Sequence, residues 1–152
     1  QLFLPSAKGI SCRLLCAPVD LTVKGDEVQL GQVVLNMLIN SRDALEDRPD
    51  PRTITLRVEE AQAESPEWKS RPDHRAKAND FLCIKIRDTG CGIEDVKKAM
   101  EPLYTTLGEE RAGLGFAVME SFCDKLGVRS APGKGTTVTL TKYIKGRNGG
   151  DD

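Results

Sequence analysis

The sequence predicts an α/β two-layer sandwich: one mixed, mostly antiparallel sheet covered on one face by helices. Three observations carry this. Residues Phe81 to Arg87 and Thr136 to Tyr143 alternate apolar and polar side chains, the pattern of half-buried strands. Residues Gln32 to Ser41 form an almost wholly apolar run, long enough for a helix and interrupted only by Asn36 and Asn40. Strand-like stretches concentrate in the second half of the chain, between helical ones, with no internal repeat.

The elements follow in order. Ile10 to Cys16 reads as a strand, and Leu21-Thr22-Val23 as a short extended piece. Gly25 breaks the chain, Asp26 is the expected N-cap, and Glu27 suits the positive end of the helix dipole. The helix is expected to run to Leu45 or Glu46, buried on nearly all sides, and Pro49 and Pro51 stop it. Ile54, Leu56 and Val58 mark the next strand. Residues 61–80, polar and carrying Pro66 and Pro72, read as a long mobile surface connection. After the strand at 81–87, an Asp/Glu-started helix is expected near 94–100. Gly113-Leu114-Gly115 opens a further helix, with Leu114, Val118, Phe122 and Leu126 as its buried stripe. Strands over Val128 to Ala131 and Thr136 to Tyr143, joined by Pro132-Gly133-Lys134-Gly135, complete the sheet. One domain over 1–145 and a frayed tail over 146–152 are expected.

Composition excludes several functions. The chain has 152 residues and net charge −1, so its bulk charge offers no basic footprint for nucleic acid. Five cysteines without CxxC spacing, and a single histidine (His74), argue against zinc and for reduced thiols. Cys12 and Cys16 are expected to pack in the interior, and Cys91 to be a buried, inert thiol. No apolar stretch approaches the roughly 20 residues of a membrane span, so no membrane contact by this fragment is expected. The absence of an initial Met suits an excised cytoplasmic domain, with any membrane tether outside it.

Polar residues in apolar settings indicate where a ligand would bind. Asn36, Asn40 and Asp43 share one helix face, and buried amides need partners. Asp88 has the strand parity of Leu82, Ile84 and Ile86, so it points to the core side, where a carboxylate requires a specific donor. Thr136 has the parity of Val138 and Leu140 and can face the core beside Asp88. A free helix N-terminus at Gly113-Leu114-Gly115 would offer N–H groups to phosphate.

The Asn stripe, Asp88-x-Gly90-x-Gly92, Gly113-x-Gly115 and Gly133-x-Gly135-Thr136 occur in the order of the four motifs of the GHKL ATPase superfamily (gyrase-type ATPases, heat-shock chaperones, MutL-type repair proteins and histidine kinases), which the chain resembles over residues 10–144. The resemblance implies the Bergerat fold and binding of ATP with Mg²⁺. It assigns Mg²⁺ to Asn40, the adenine amine to Asp88, and the adenine hydrogen-bond network to Thr136. Asp43, the loop Gly90, Gly92 and Ile93, the lid residues Thr105 and Thr106, and Gly113, Leu114 and Gly115 would complete the nucleotide site. Arg111 is the lid cation expected to reach phosphate. Ala112 and Leu107 depart from the family's usual Gly and Lys there.

Asp26 to Ala44 is similar to sensor histidine kinases, while Glu101 to Thr106, Arg111 to Glu120 and Gly135 to Lys142 are similar to anti-sigma-factor serine kinases. Serine kinases and true ATPases carry Glu four residues before the metal-binding Asn, a general base for a hydroxyl nucleophile. This chain has Asn36 there, which suits a neutral imidazole needing no deprotonation. The expected function is therefore the ATP-binding catalytic domain of a histidine kinase, with Asn36 and Arg111 at the reacting end. Its partners would be a histidine-bearing dimerisation domain and a downstream response regulator. The alternatives are a serine kinase that binds a sigma factor, and a non-catalytic nucleotide sensor.

Overall fold

The computed structural model describes residues 9–17, 25–60, 81–101 and 115–143. In chain order these form β1 (Ile10–Cys16), α1 (Glu27–Ala44), β2 (Arg52–Glu60), β3 (Phe81–Asp88), α2 (Val96–Ala99), α3 (Gly115–Phe122), β4 (Lys125–Ser130) and β5 (Thr136–Tyr143). The strands build one five-stranded sheet in the order β1-β2-β3-β5-β4. Only β1 and β2 are parallel, and α1 is their crossover; the other pairs are antiparallel. The expected two-layer α/β sandwich is therefore present.

α1 starts where its cap is strongest. Asp26 accepts from the N–H of Val28 at 2.8 Å and of Gln29 at 3.2 Å, which satisfies two otherwise unpaired helix donors. Asp26→Ala is expected to cost about 0.5–2 kcal/mol, read as a lower thermal midpoint. The helix ends at Ala44, capped by Leu45.

The core lies between α1, α3 and the sheet. Met37, Leu45, Ile54, Ile86 and Met119 are each at most 2% exposed, and full burial of such side chains contributes roughly 1.5–3 kcal/mol apiece. α1 packs on β3 and β2 and against α3. The last turn of α3 is tied to β5, because Lys142 Nζ donates to the Phe122 carbonyl at 2.7 Å and lies 4.5 Å from its ring centroid.

Several expectations are corrected. α1 is amphipathic, not buried all round: Val33, Met37, Leu38 and Ser41 are buried, whereas Val28 and Leu35 are exposed. Only the face toward β2, β3 and α3 finds partners among the described residues. The 94–100 helix is a single turn capped by Asp95; Pro102 disfavours helical geometry in the residue before it. Leu126 belongs to β4, which begins at Lys125 instead of Val128. A four-residue spacing satisfies both the helical and the strand period, so Leu126 fitted the wrong one. In its place Met119, fully buried, anchors α3. Cys12, Cys16 and Cys91 are exposed, not packed; β1 is an edge strand that the helices do not cover. Leu21–Val23, the loop 61–80, the lid, Leu114 and the tail 146–152 lie outside the described residues.

Candidate functional site

The site forms where β3 and β5 end beneath α1. Asp88 is the last residue of β3 and sits opposite Thr136, the first of β5. Strand parity turns both toward the helices, and Asp88 is only 4% exposed. Its Oδ1 accepts from the N–H of Gly90 at 2.9 Å and of Thr136 at 3.2 Å. The hydroxyl of Ser41 on α1 also hydrogen-bonds the carboxylate. Burial raises the Asp88 pKa above the ordinary aspartate value, and the bonds from Gly90, Ser41 and Thr136 oppose that rise. Both backbone donors reach Oδ1, and a carboxylate has about four acceptor positions, so the group keeps acceptor capacity for a donor from a ligand.

A second node stabilises the loop after Asp88. Ser130 Oγ accepts from the Ile93 N–H at 2.7 Å and donates to the Gly135 carbonyl at 2.9 Å. Its one proton is thereby used, so the 2.9 Å contact with Thr136 Oγ1 is a bond donated by Thr136. Thr89 Oγ1 donates to the Pro51 carbonyl at 3.2 Å and accepts from Thr53 N–H at 3.0 Å, fixing the turn onto β2.

The glycines permit close backbone approach. A Cβ on Gly90 would stand 2.7 Å from Ala44 Cβ and 2.8 Å from Asp88 Oδ1. Gly92 has φ +78° and faces the Ala131 carbonyl; Gly135 also has φ +78° and faces the Asp88 carbonyl. Gly92→Ala is expected to cost at least about 1–2 kcal/mol from the left-handed backbone alone, read as a lower urea midpoint.

The expected Asn stripe is present but lies at the margin of α1's buried face. Asn36 is half-buried and its Oδ1 accepts from Gln32 Nε2 at 3.2 Å; Asn40 is exposed. Asp43 Oδ1 is held by Arg42 through Nη2 at 2.9 Å and Nε at 3.1 Å. The structure thus brings Asp88, Gly90, Ile93 and Thr136 into one hydrogen-bonded cluster, with Gly92 packed beside it on the Ala131 carbonyl and Ser41, the residue after Asn40, reaching it from α1. Thr105, Thr106, Arg111, Gly113 and Leu114 lie outside the described residues; Gly115 begins α3. Sequence reasoning missed Ser41 and Ser130. Each carried a signal: Ser41 is one turn from buried Met37, and Ser130 has the parity of Leu126 and Val128.

Known proteins are similar to this chain in sequence or in fold. Anti-sigma F factors are similar over about half the chain: that of Caldanaerobacter subterraneus subsp. tengcongensis is 63% identical over 68 residues, covering 44% of this chain and 47% of that protein. That of Clostridium acetobutylicum is 53% identical over 62 residues, covering 40% and 43%. The chain thus spans about half the length of the curated relatives it matches. Among solved structures, the mycobacterial sensor histidine kinase MprB superposes with TM-score 0.63 at 21% identity, covering 91% of this chain and 84% of that one. Full-length ShkA in complex with AMPPNP gives TM-score 0.64 at 21% identity, covering 90% and 26%. These two likenesses establish the fold. Residues 25–145 match the model of a single family, and with the Asp88 cluster in place the chain belongs to the histidine kinase-, DNA gyrase B- and HSP90-like ATPases.

Proposed function

We propose that this domain binds Mg-ATP and donates its γ-phosphate to a histidine on a separate helical dimerisation domain, which in turn serves a response regulator. The observation that carries this reading is Asn36. One turn before Asn40, it offers a neutral amide already engaged by Gln32, where a hydroxyl acceptor would need a carboxylate base.

The remaining residues take compatible roles. Asp88 keeps acceptor capacity for the adenine amine, with Thr136 and Ser130 completing the polar wall. Gly90 and Gly92 let backbone approach the base. Asn40, exposed on α1, supplies a hard oxygen for Mg²⁺ already held by phosphates. Asp43 stands beside it with Arg42. The start of α3 at Gly115, with Gly113 and Leu114 before it in the sequence, would offer N–H groups to phosphate, and Thr105, Thr106 and Arg111 would contribute from the lid. Bound Mg²⁺ would neutralise charge developing on the transferred phosphoryl group.

A second reading is favoured by the anti-sigma F relatives: a kinase that phosphorylates a serine on a partner protein and holds a sigma factor. Radiolabelled ATP distinguishes the two. The domain is incubated separately with a histidine-bearing helical domain and with an anti-anti-sigma protein. The expected result is acid-labile label on the former; acid-stable label confined to a serine of the latter selects the second reading.

A further inference from the structure

The sheet face turned away from the helices carries a charge pattern that nucleotide chemistry does not use. Strand register aligns Arg13 on β1, Thr55 on β2, Arg87 on β3, Thr137 on β5 and Arg129 on β4 in one row. Arginines therefore occupy every second strand, about 9.6 Å apart at the usual strand spacing. All three are exposed, and none is ion-paired with another described residue. Arg57 in the adjacent row pairs with Glu59 on the same face, and Lys85 and Lys125, also on it, have partners of their own. A chain of net charge −1 thus carries an exposed row of three arginines along one end of this face, beyond the buried Cys83, Thr139 and Thr141.

The occupant follows from what this face has and lacks. Guanidinium groups pair bidentately with carboxylates. The chain's net charge of −1 gives no overall basic footprint for nucleic acid. Leu15 is its one large exposed apolar side chain among the described residues, too little to insert into a lipid surface. We propose that this face docks an acidic protein segment with carboxylates spaced to meet Arg13, Arg87 and Arg129. A helix offers this spacing, since residues seven apart rise about 10.5 Å.

The test is an anisotropy titration of the whole chain with a labelled helical peptide bearing Glu at three positions seven residues apart. A peptide of the same composition with shuffled Glu spacing is the comparison. R13Q/R87Q/R129Q is expected to weaken binding at least about tenfold, and the charge-matched K97Q/K98Q/K134Q by less than about twofold. Both should bind ATP as wild type does. If the triple variant does not fold, R87Q alone, at the centre of the row, is expected to weaken binding about threefold. Equal losses in the two triple variants, or indifference to the shuffle, overturn the proposal. So does tighter binding to phosphatidylserine vesicles or to duplex DNA at equal charge concentration.

Discussion

Asp88→Asn is expected to weaken ATP binding by about ten- to a hundredfold while leaving the domain folded. The proposed bond from the adenine amine ends on an ionised acceptor, and such bonds contribute roughly 1.5–3 kcal/mol. Asn keeps the shape but replaces one oxygen with an N–H donor, which faces the donors of Gly90, Thr136 or Ser41 or the adenine amine itself. Stability should respond differently. Burial raises the Asp88 pKa, so the folded state holds that proton more tightly than the unfolded chain does. The group's contribution to stability is therefore full below the ordinary aspartate range. It is lost as pH rises through the raised value. At neutral pH the ionised carboxylate carries a burial cost that Asn lacks, which offsets the donor–donor contact Asn introduces, so the thermal midpoint of Asp88→Asn should change far less than its affinity. Calorimetric titration and a melt on the same sample separate the two effects.

Met119→Ala is expected to produce the largest loss of stability among simple substitutions, about 2–5 kcal/mol. Met119 is 0% exposed and is the fully buried described residue of α3, with Phe116 and Phe122 packed partly buried against the same core. Truncation removes its buried apolar atoms and leaves a cavity between α3, α1 and the sheet. Because α3 begins at Gly115, loosening its anchor should also weaken ATP binding, unlike a core truncation in β2. Urea unfolding of Met119→Ala beside Ile54→Val, with an ATP titration of each, checks both halves of this expectation.

Much of the fold and part of the site are legible in the chain. Period-two alternation is unambiguous across 81–88, and it alone places Asp88 on the core side. The turns at Gly92 and Gly135 follow from glycine positions between extended runs. What is not legible has physical causes. Ser41 and Ser130, which hold Asp88 and Ile93, are small polar residues whose partners are distant in sequence. The exposure of Leu35 and Val28 depends on which face of α1 meets the sheet, and an apolar run does not encode that face. Leu126 misleads because helix and strand periods coincide at four residues. The exposed thiols of Cys12 and Cys16 reflect β1's place at the sheet edge, a property of topology and not of local pattern.

We propose that Asn40 and Asp88 bind opposite ends of one Mg-ATP. The most direct test is calorimetric titration of ATP, with and without Mg²⁺, into wild type, Asn40→Ala and Asp88→Asn. Wild type is expected to gain affinity with Mg²⁺, Asn40→Ala to lose that gain, and Asp88→Asn to be weakened under both conditions. Wild-type affinity in both variants would contradict it.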